Sequence, residues 1–167
     1  MKGDLPTDVT LPGQDVSLGR LRYTVGFLVR RLHNLLVANW GQDIAPASVR
    51  ITPVQAGLLV LISENPDITQ SRLIPVLDVE SATLVKSITR LQELGLIDKI
   101  RSETDKRSFH LRMTERGWEV VKAIHLNMEA RATRLSQNIE PEEFAIFLKV
   151  LHKLIARESR SSTWQED

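Results

Sequence analysis

Apolar residues recur at alternating three- and four-residue spacings near the start of the chain. Ser17 is suited to cap a helix, and the repeat after it places six apolar residues on one side: Leu18, Leu21, Val25, Leu28, Leu32 and Leu35. This heptad-like pattern predicts one long helix over residues 17 to about 40, with Gly41 as its stop. A helix that is so apolar along one side needs a partner, in the same chain or in a second subunit.

The second helix has the clearest start signal in the chain. In ITPVQAGLLVLI, Thr52 is placed to cap the helix, Pro53 suits its first position, and Gln55 is the reciprocal partner of a capping box. Apolar residues follow at helical spacing: Val54, Leu58, Leu61 and Ile62.

The run ENPD ends this helix, and a third helix is predicted to start at Thr69. Pro75 falls inside that helix, which is therefore expected to be short or distorted.

The next helix is predicted within VESATLVKSITRLQEL, and Gly95 ends it. Its apolar residues are assigned to the inner face: Leu84, Val85, Ile88, Leu91 and Leu94. This assignment leaves a polar, cationic outer face formed by Ser81, Thr83, Lys86, Ser87 and Arg90. A helix fits the major groove of DNA, where such side chains read base edges, and Lys86 and Arg90 project together because they are one turn apart.

Strand periodicity replaces helical periodicity after Gly95. GLIDKIR, residues 95 to 101, is one short strand candidate, and Phe109, Leu111 and Met113 then alternate with His110 and Arg112. The polar run between them makes a narrow hairpin tip. The predicted hairpin residues with functional interest are Arg101, Asp105, Lys106 and Arg107.

Two further helices are predicted after the hairpin. Thr114 caps the first, whose apolar stripe is Trp118, Val121, Ile124, Met128 and Leu135. Pro141 opens the second, with Phe144, Phe147, Leu148, Leu151 and Ile155. The fold class is therefore mainly α with a small β-hairpin wing: a winged helix-turn-helix over about 50–115, flanked by dimerisation helices at about 17–40 and 115–158. Residues 1–15 are expected to form a flexible arm, and 16–167 a single domain.

Composition narrows the function classes. The chain has 167 residues, 42% of them hydrophobic, which suits one domain with a real core. The formal net charge is only +1, but seven basic and four acidic residues lie between Lys86 and Arg112. Nucleic-acid binding must therefore rest on local charge. The absence of cysteine excludes disulfides, thiolate zinc sites and cysteine-based redox sensing, and fits a cytoplasmic protein. No membrane span or signal peptide is expected.

Several separated motifs occur in a fixed order. They are ITPVQAGLLVL at 51–61, LQELGLI at 91–97, the D-x-R run Asp105-Lys106-Arg107, and HLRMTERG at 110–117. Together they resemble the second helix, the approach to the wing, the wing tip and the following strand of the MarR family of bacterial transcription regulators. The resemblance covers nearly the whole chain, from about Leu18 to the end of the last helix.

The resemblance implies a homodimer that binds a pseudo-palindromic operator in double-stranded DNA. The resemblance implies that the polar outer face of the helix that ends at Gly95 contacts bases. It also implies that the start of the preceding helix contacts phosphates through Thr69, Gln70 and Ser71. Arg107 is the candidate for the minor groove, with Asp105 holding it in position. We expect a repressor, although activation remains open.

The resemblance also implies a ligand pocket between the dimerisation helices and the DNA-binding lobe, of the kind used by aromatic or phenolic anions. The candidate lining residues are Arg22, Tyr23, His33 and Trp40. No cofactor is expected, and the four scattered histidines show no metal-ligand spacing. No P-loop, G-x-G-x-x-G, H-E-x-x-H or G-x-S-x-G motif points to an enzyme. The alternative left open is a winged-helix module that binds protein and no operator DNA.

Overall fold

A computed structural model describes residues 17–38, 40, 49–77, 79–101 and 109–162, with side chains as far as residue 159. By its contacts the chain divides into two units, Met1–Gln42 and Asp43–Asp167. Two predicted features lie outside the described residues. They are the N-terminal arm over residues 1–15 and the hairpin tip that contains Asp105, Lys106 and Arg107.

The first unit does not contain the single long helix that the sequence predicted. A 3₁₀ helix, Gly19–Tyr23, is followed by the helix α1, Val25–Ala38. Between them the backbone of Thr24 is extended, with φ −91° and ψ 111°, and its hydroxyl donates to the carbonyl oxygen of Arg20 at 3.2 Å. A threonine that bonds a carbonyl four residues earlier competes with regular helix geometry, which explains the break. No residue of either helix is buried.

The second unit confirms the predicted winged helix-turn-helix. Its elements in chain order are α2 (Pro53–Glu64), β1 (Ile68–Thr69), α3 (Gln70–Leu77), α4 (Ser81–Glu93), β2 (Ile97–Arg101), β3 (Phe109–Met113), α5 (Glu115–Leu135) and α6 (Pro141–Ser162). The helix α3 is indeed short, eight residues, and contains Pro75. No helix in the described part of the chain has the length and apolarity that crossing a membrane requires.

The core is built around α2. Its start is the predicted capping box: the Gln55 backbone N–H donates to the Thr52 hydroxyl at 3.3 Å, and the Thr52 N–H donates to the Gln55 side chain at 2.9 Å. Leu58, Leu59 and Ile62 are almost fully buried, because α2 packs against α3, α4, α5 and β3. The helix is therefore apolar around most of its circumference, as central helices are.

The small sheet has three antiparallel strands in the order β1-β3-β2. The strand β1 was not predicted from the sequence, and it pairs Ile68 with Leu111. On the other side of β3, Ile97 pairs with Met113. Ile68, Ile97 and Leu111 are all buried. The hairpin is therefore anchored in the core at its base and extends away from it toward Arg101.

Thr114 joins three elements at the base of the hairpin. Its hydroxyl accepts from the Gly117 N–H at 2.9 Å, which caps α5, and donates to the Gly95 carbonyl at 2.7 Å. Its own N–H donates to the Leu96 carbonyl at 3.1 Å. Gly95 has a φ of +66° and ends α4 as predicted, because a left-handed residue there suits glycine. The end of α4, the start of β2 and the start of α5 are therefore tied together.

The apolar residues predicted along one side of α5 are only partly buried. Val121 and Ile124 are buried, whereas Trp118, Met128 and Leu135 are exposed. Along α6 none of the described side chains is buried, and its exposed apolar residues are Ile146, Phe147, Leu148, Val150, Leu154 and Ile155. The two C-terminal helices therefore leave a large part of their apolar side chains exposed.

Candidate nucleic-acid interface

The inner face of α4 is set by apolar residues at helical spacing. Leu84, Ile88 and Leu91 are almost fully buried. Four of the five residues predicted to contact DNA lie on the exposed side: Ser81, Thr83, Lys86 and Arg90. The helix therefore presents a polar and cationic surface opposite the surface that packs into the core.

Two residues of α4 do not lie where the sequence assigned them. Ser87, expected on the outer side, is only 7% exposed, and its hydroxyl donates to the Thr83 carbonyl at 2.9 Å. That bond within the helix satisfies the hydroxyl, so it can be buried. Val85, expected inside, is 46% exposed, because it lies about 100° around the helix from Leu84. Ser87 is thus a correction to the predicted DNA-contacting set.

The segment expected to contact the DNA backbone becomes helical one residue later than predicted. Thr69 ends β1, Gln70 is the first residue of α3, and Ser71 is exposed, with its hydroxyl 3.1 Å from that of Thr69. Arg72, which no motif in the sequence singled out, is exposed in the same turn. Hydroxyls, a guanidinium and the unpaired N–H groups of a helix start are all groups that bind phosphate.

The described part of the wing ends at Arg101, which is exposed and pairs in register with Phe109. The ammonium nitrogen of Lys99 lies 4.5 Å from the centroid of the Phe109 ring, a cation–π contact across the two strands. This contact covers an aromatic ring that would otherwise be open to water. Lys99 and Arg101 thus bring positive charge to the described arms of the wing.

Asp67 links the turn after α2 to the middle of β3. Its φ of 60° is left-handed, a conformation that Asp tolerates better than most residues. Its carboxylate accepts a hydrogen bond from Nε of Arg112, and its carbonyl oxygen lies 2.7 Å from Nδ1 of His110. The Arg112 hydrogen bond and the nearby positive charge hold the pKa of the Asp67 carboxyl below its usual range, against a weaker opposing effect of burial. From the sequence, this residue was recognised only as part of a helix break.

The low pKa of Asp67 predicts a pH-dependent contribution to stability. Because the carboxylate is stabilised in the folded state, its contribution is present above the ordinary Asp range, about pH 4, and is lost as pH falls through the lowered value. Asp67→Asn keeps a side chain that tolerates the left-handed backbone but removes the charge. We expect a lower urea midpoint than wild type at pH 7, and a difference between the two midpoints that shrinks as the pH falls below about 4. A difference that stays constant across this range would exclude the charge as its cause.

The residues proposed for a ligand all belong to the first unit. Arg22 and Tyr23 lie on the 3₁₀ helix and His33 on α1, all three exposed, whereas Trp40 is half-buried. Their assignment to a ligand site stays a prediction.

Comparison with known proteins agrees with this geometry. A model of the MarR family matches residues 51–108, which include α2, α3, α4 and β2 and end just before β3. A curated relative, a putative transcriptional regulatory protein for the hcr operon of Thauera aromatica, is 27% identical over 143 residues, 86% of each chain. Other curated relatives are helix-turn-helix transcriptional regulators.

Solved structures of transcriptional regulators share the fold. The PcaV regulator of Streptomyces coelicolor, in complex with its natural ligand, superposes with a TM-score of 0.74 at 23% identity, covering 81% of this chain and 94% of that one. A MarR variant from E. coli, in complex with operator DNA, gives 0.72 at 22% identity, covering 83% and 99%. The family model, the curated relatives and the shared fold agree that residues 51–108 of this chain form a winged helix-turn-helix of the MarR family of transcriptional regulators.

Proposed function

We propose that this protein is a homodimeric, sequence-specific DNA-binding regulator, acting as a cytoplasmic repressor. The observation that carries the proposal is the division of α4 into a buried apolar face and an exposed face with Thr83, Lys86 and Arg90. A helix with one exposed polar face fits into the major groove. Its cationic and hydroxyl side chains can donate hydrogen bonds to acceptors on the base edges. The solved E. coli relative is bound to operator DNA, which supports the same use of the fold here.

Support from the flanking elements is electrostatic. The start of α3 offers Ser71 and Arg72 beside backbone N–H groups, and the wing arms carry Lys99 and Arg101. In the proposed complex, these groups contact phosphates on both sides of the groove that α4 enters and so fix the register of the protein. They contribute affinity that depends on salt but not on base sequence.

The proposal of a homodimer rests on the apolar surface of the terminal helices. Ile146 of α6 is 61% exposed and Ile155 is 55% exposed, and Leu28 and Leu35 of α1 are exposed as well. Rows of exposed apolar side chains along a helix, such as those on α6 and separately on α1, are characteristic of subunit interfaces. Because a dimer has twofold symmetry, its operator is expected to be a pseudo-palindrome with half-sites about 10 bp apart.

A small aromatic anion is the proposed effector. The PcaV relative was solved with its natural ligand, and the first unit of this chain supplies Arg22 for charge and Tyr23 for an aromatic wall. Release of DNA by such a ligand requires that it bind the DNA-free conformation more tightly than the DNA-bound one.

Arg107 is expected to contribute to binding from the wing. Arg107→Ala should weaken operator binding by about tenfold per half-site, since each charge-assisted hydrogen bond that is lost contributes roughly 1.5 kcal/mol. The thermal midpoint of the variant should match wild type, because the sequence predicts Arg107 in a polar turn and not in the core. The measurement is a binding titration beside a melting curve. Equal affinity would remove Arg107 from the contact set.

The function itself is tested by fluorescence anisotropy with duplex DNA from the region upstream of the gene. A scrambled duplex of the same composition is the control, and both are titrated at two salt concentrations. Selective binding that weakens with salt is the expected result. If duplexes selected from a random library also fail to bind selectively, the operator-binding function is wrong, and the winged helix is then a protein-interaction module.

A further inference from the structure

The exposed face of α4 contains two parallel stripes of different chemistry. Thr83, Lys86 and Arg90 follow one another at spacings of three and four residues, which places them along one line of the helix. The second line, with the same spacing, is Ala82, Val85 and Thr89. All six residues are exposed. The first stripe carries positive charge and a hydroxyl, and the second carries methyl groups.

Val85 is the member of the second stripe that the fold does not require. It is 46% exposed, so its burial contributes little to the core. Single exposed apolar residues are common on protein surfaces and need no explanation. Val85 differs because Ala82 lies one turn before it and Thr89 one turn after it, so that methyl groups form a continuous line. That line borders the cationic stripe on the face proposed to enter the major groove.

The major groove has one apolar group among its polar edges, the C5-methyl of thymine, which apolar side chains and the threonine methyl can contact. We propose that the stripe Ala82–Val85–Thr89 reads thymine methyl groups, with Val85 as its discriminating residue, while Lys86 and Arg90 provide the polar contacts beside it. The proposal deepens the proposed function and rests on it, because it requires α4 to lie in the groove.

The dimensions of the stripe limit how many bases it can read. Seven residues separate Ala82 from Thr89, about 10 Å along a helix that rises 1.5 Å per residue. Base pairs are spaced by 3.4 Å, so the stripe spans roughly three steps. Each half-site should therefore contain thymines within a window of about three base pairs. The thymine that contacts Val85 should contribute most of the preference for thymine.

The experiment uses the full-length protein and a duplex enriched by it from a random-sequence library. Each thymine of one half-site, with its symmetry mate, is replaced by deoxyuridine, which removes only the methyl group and leaves all hydrogen bonds in place. Affinities are measured by anisotropy. At one or two adjacent positions, we expect a loss of roughly fourfold per methyl, the factor that corresponds to about 0.8 kcal/mol for one buried CH₂ group.

Val85→Ala then assigns the contact. It should bind the thymine duplex more weakly than wild type and lose its sensitivity to deoxyuridine at the position that Val85 meets. Val76→Ala, an exposed valine on α3, is the matched control and should keep the wild-type pattern. Alanine favours helix, so neither variant threatens the fold.

Two results would overturn the proposal while leaving the function intact. One is selective binding that is indifferent to deoxyuridine at every position of the half-site. The other is a Val85→Ala variant with full deoxyuridine sensitivity. Failure to enrich any duplex from the library would instead refute the proposed DNA-binding function, and with it this proposal.

Discussion

Replacing both Lys86 and Arg90 with alanine is expected to weaken operator binding by at least a hundredfold while leaving the dimer intact. Both side chains are exposed on α4 and separated by one turn, so neither supports the core. A good contact from a cation to a base edge contributes about 1–3 kcal/mol, and a dimer loses four of them. In the DNA-free protein Arg90 forms an ion pair with Glu93 at 3.0 Å. A surface ion pair of this kind contributes under about 1 kcal/mol, so a contact between Arg90 and a base can replace it.

Anisotropy titrations measure this loss, and sedimentation shows whether the dimer persists. The matched control is Lys149→Ala with Lys153→Ala on α6, two exposed lysines at the same four-residue spacing. The control removes the same charge from the chain but should leave the preference for the selected duplex unchanged. Undiminished affinity in the α4 variant would show that α4 is not the reading helix.

Gly117→Ala is expected to lower the free energy of unfolding by at least about 3 kcal/mol. A Cβ at this position would lie 2.0 Å from the Leu96 carbonyl oxygen and 2.8 Å from the Met113 side chain. The oxygen belongs to backbone that is itself bonded to Thr114, so it cannot move aside without disturbing the start of β2. Overpacking usually costs about 1–3 kcal/mol, and a contact with fixed backbone should exceed that range.

The loss is measured as a lower thermal midpoint, by roughly 6–12 °C for a chain of this size. Gly57→Ala is the control within α2, where the nearest atom to a new Cβ is a Leu77 methyl at an ordinary 3.7 Å. It should stabilise the protein by roughly 0.4–1 kcal/mol, because alanine has less freedom to lose on folding. If the two variants had equal midpoints, the close approach of α5 to β2 would not hold in solution.

Local signals were enough to predict most of the second unit. The capping box of Thr52 and Gln55, the left-handed Gly95 and the cap at Thr114 all act within a few residues, and each lies where the sequence placed it. Two features depended on interactions that the pattern does not contain. The strand β1 is too short for a periodicity, and the helix break at Thr24 arises from one side-chain hydrogen bond.

The candidate interface was predicted in type but not in detail. The exposed positions of Lys86 and Arg90 followed from the apolar spacing of Leu84, Ile88 and Leu91. The burial of residues at the edge of the inner face was harder to predict, because the elements that α4 packs against determine how the helix is rotated about its axis. Ser87 was therefore predicted to be exposed but is buried. Val85, at the other edge of the same face, was predicted to be buried but is exposed.

The pairing of β1 with β3 has a consequence for how the protein is made. His110 meets the carbonyl of Asp67 across a separation of 43 residues, and Ile68 meets Leu111 in the same ladder. On the ribosome, α3 and α4 emerge before β3, which contacts α3 directly and pairs with β2, the strand that α4 contacts. α4, the helix proposed to contact bases, is thus expected to gain its final orientation only after β3 has been synthesised, so a chain that stops within the wing would bind no operator.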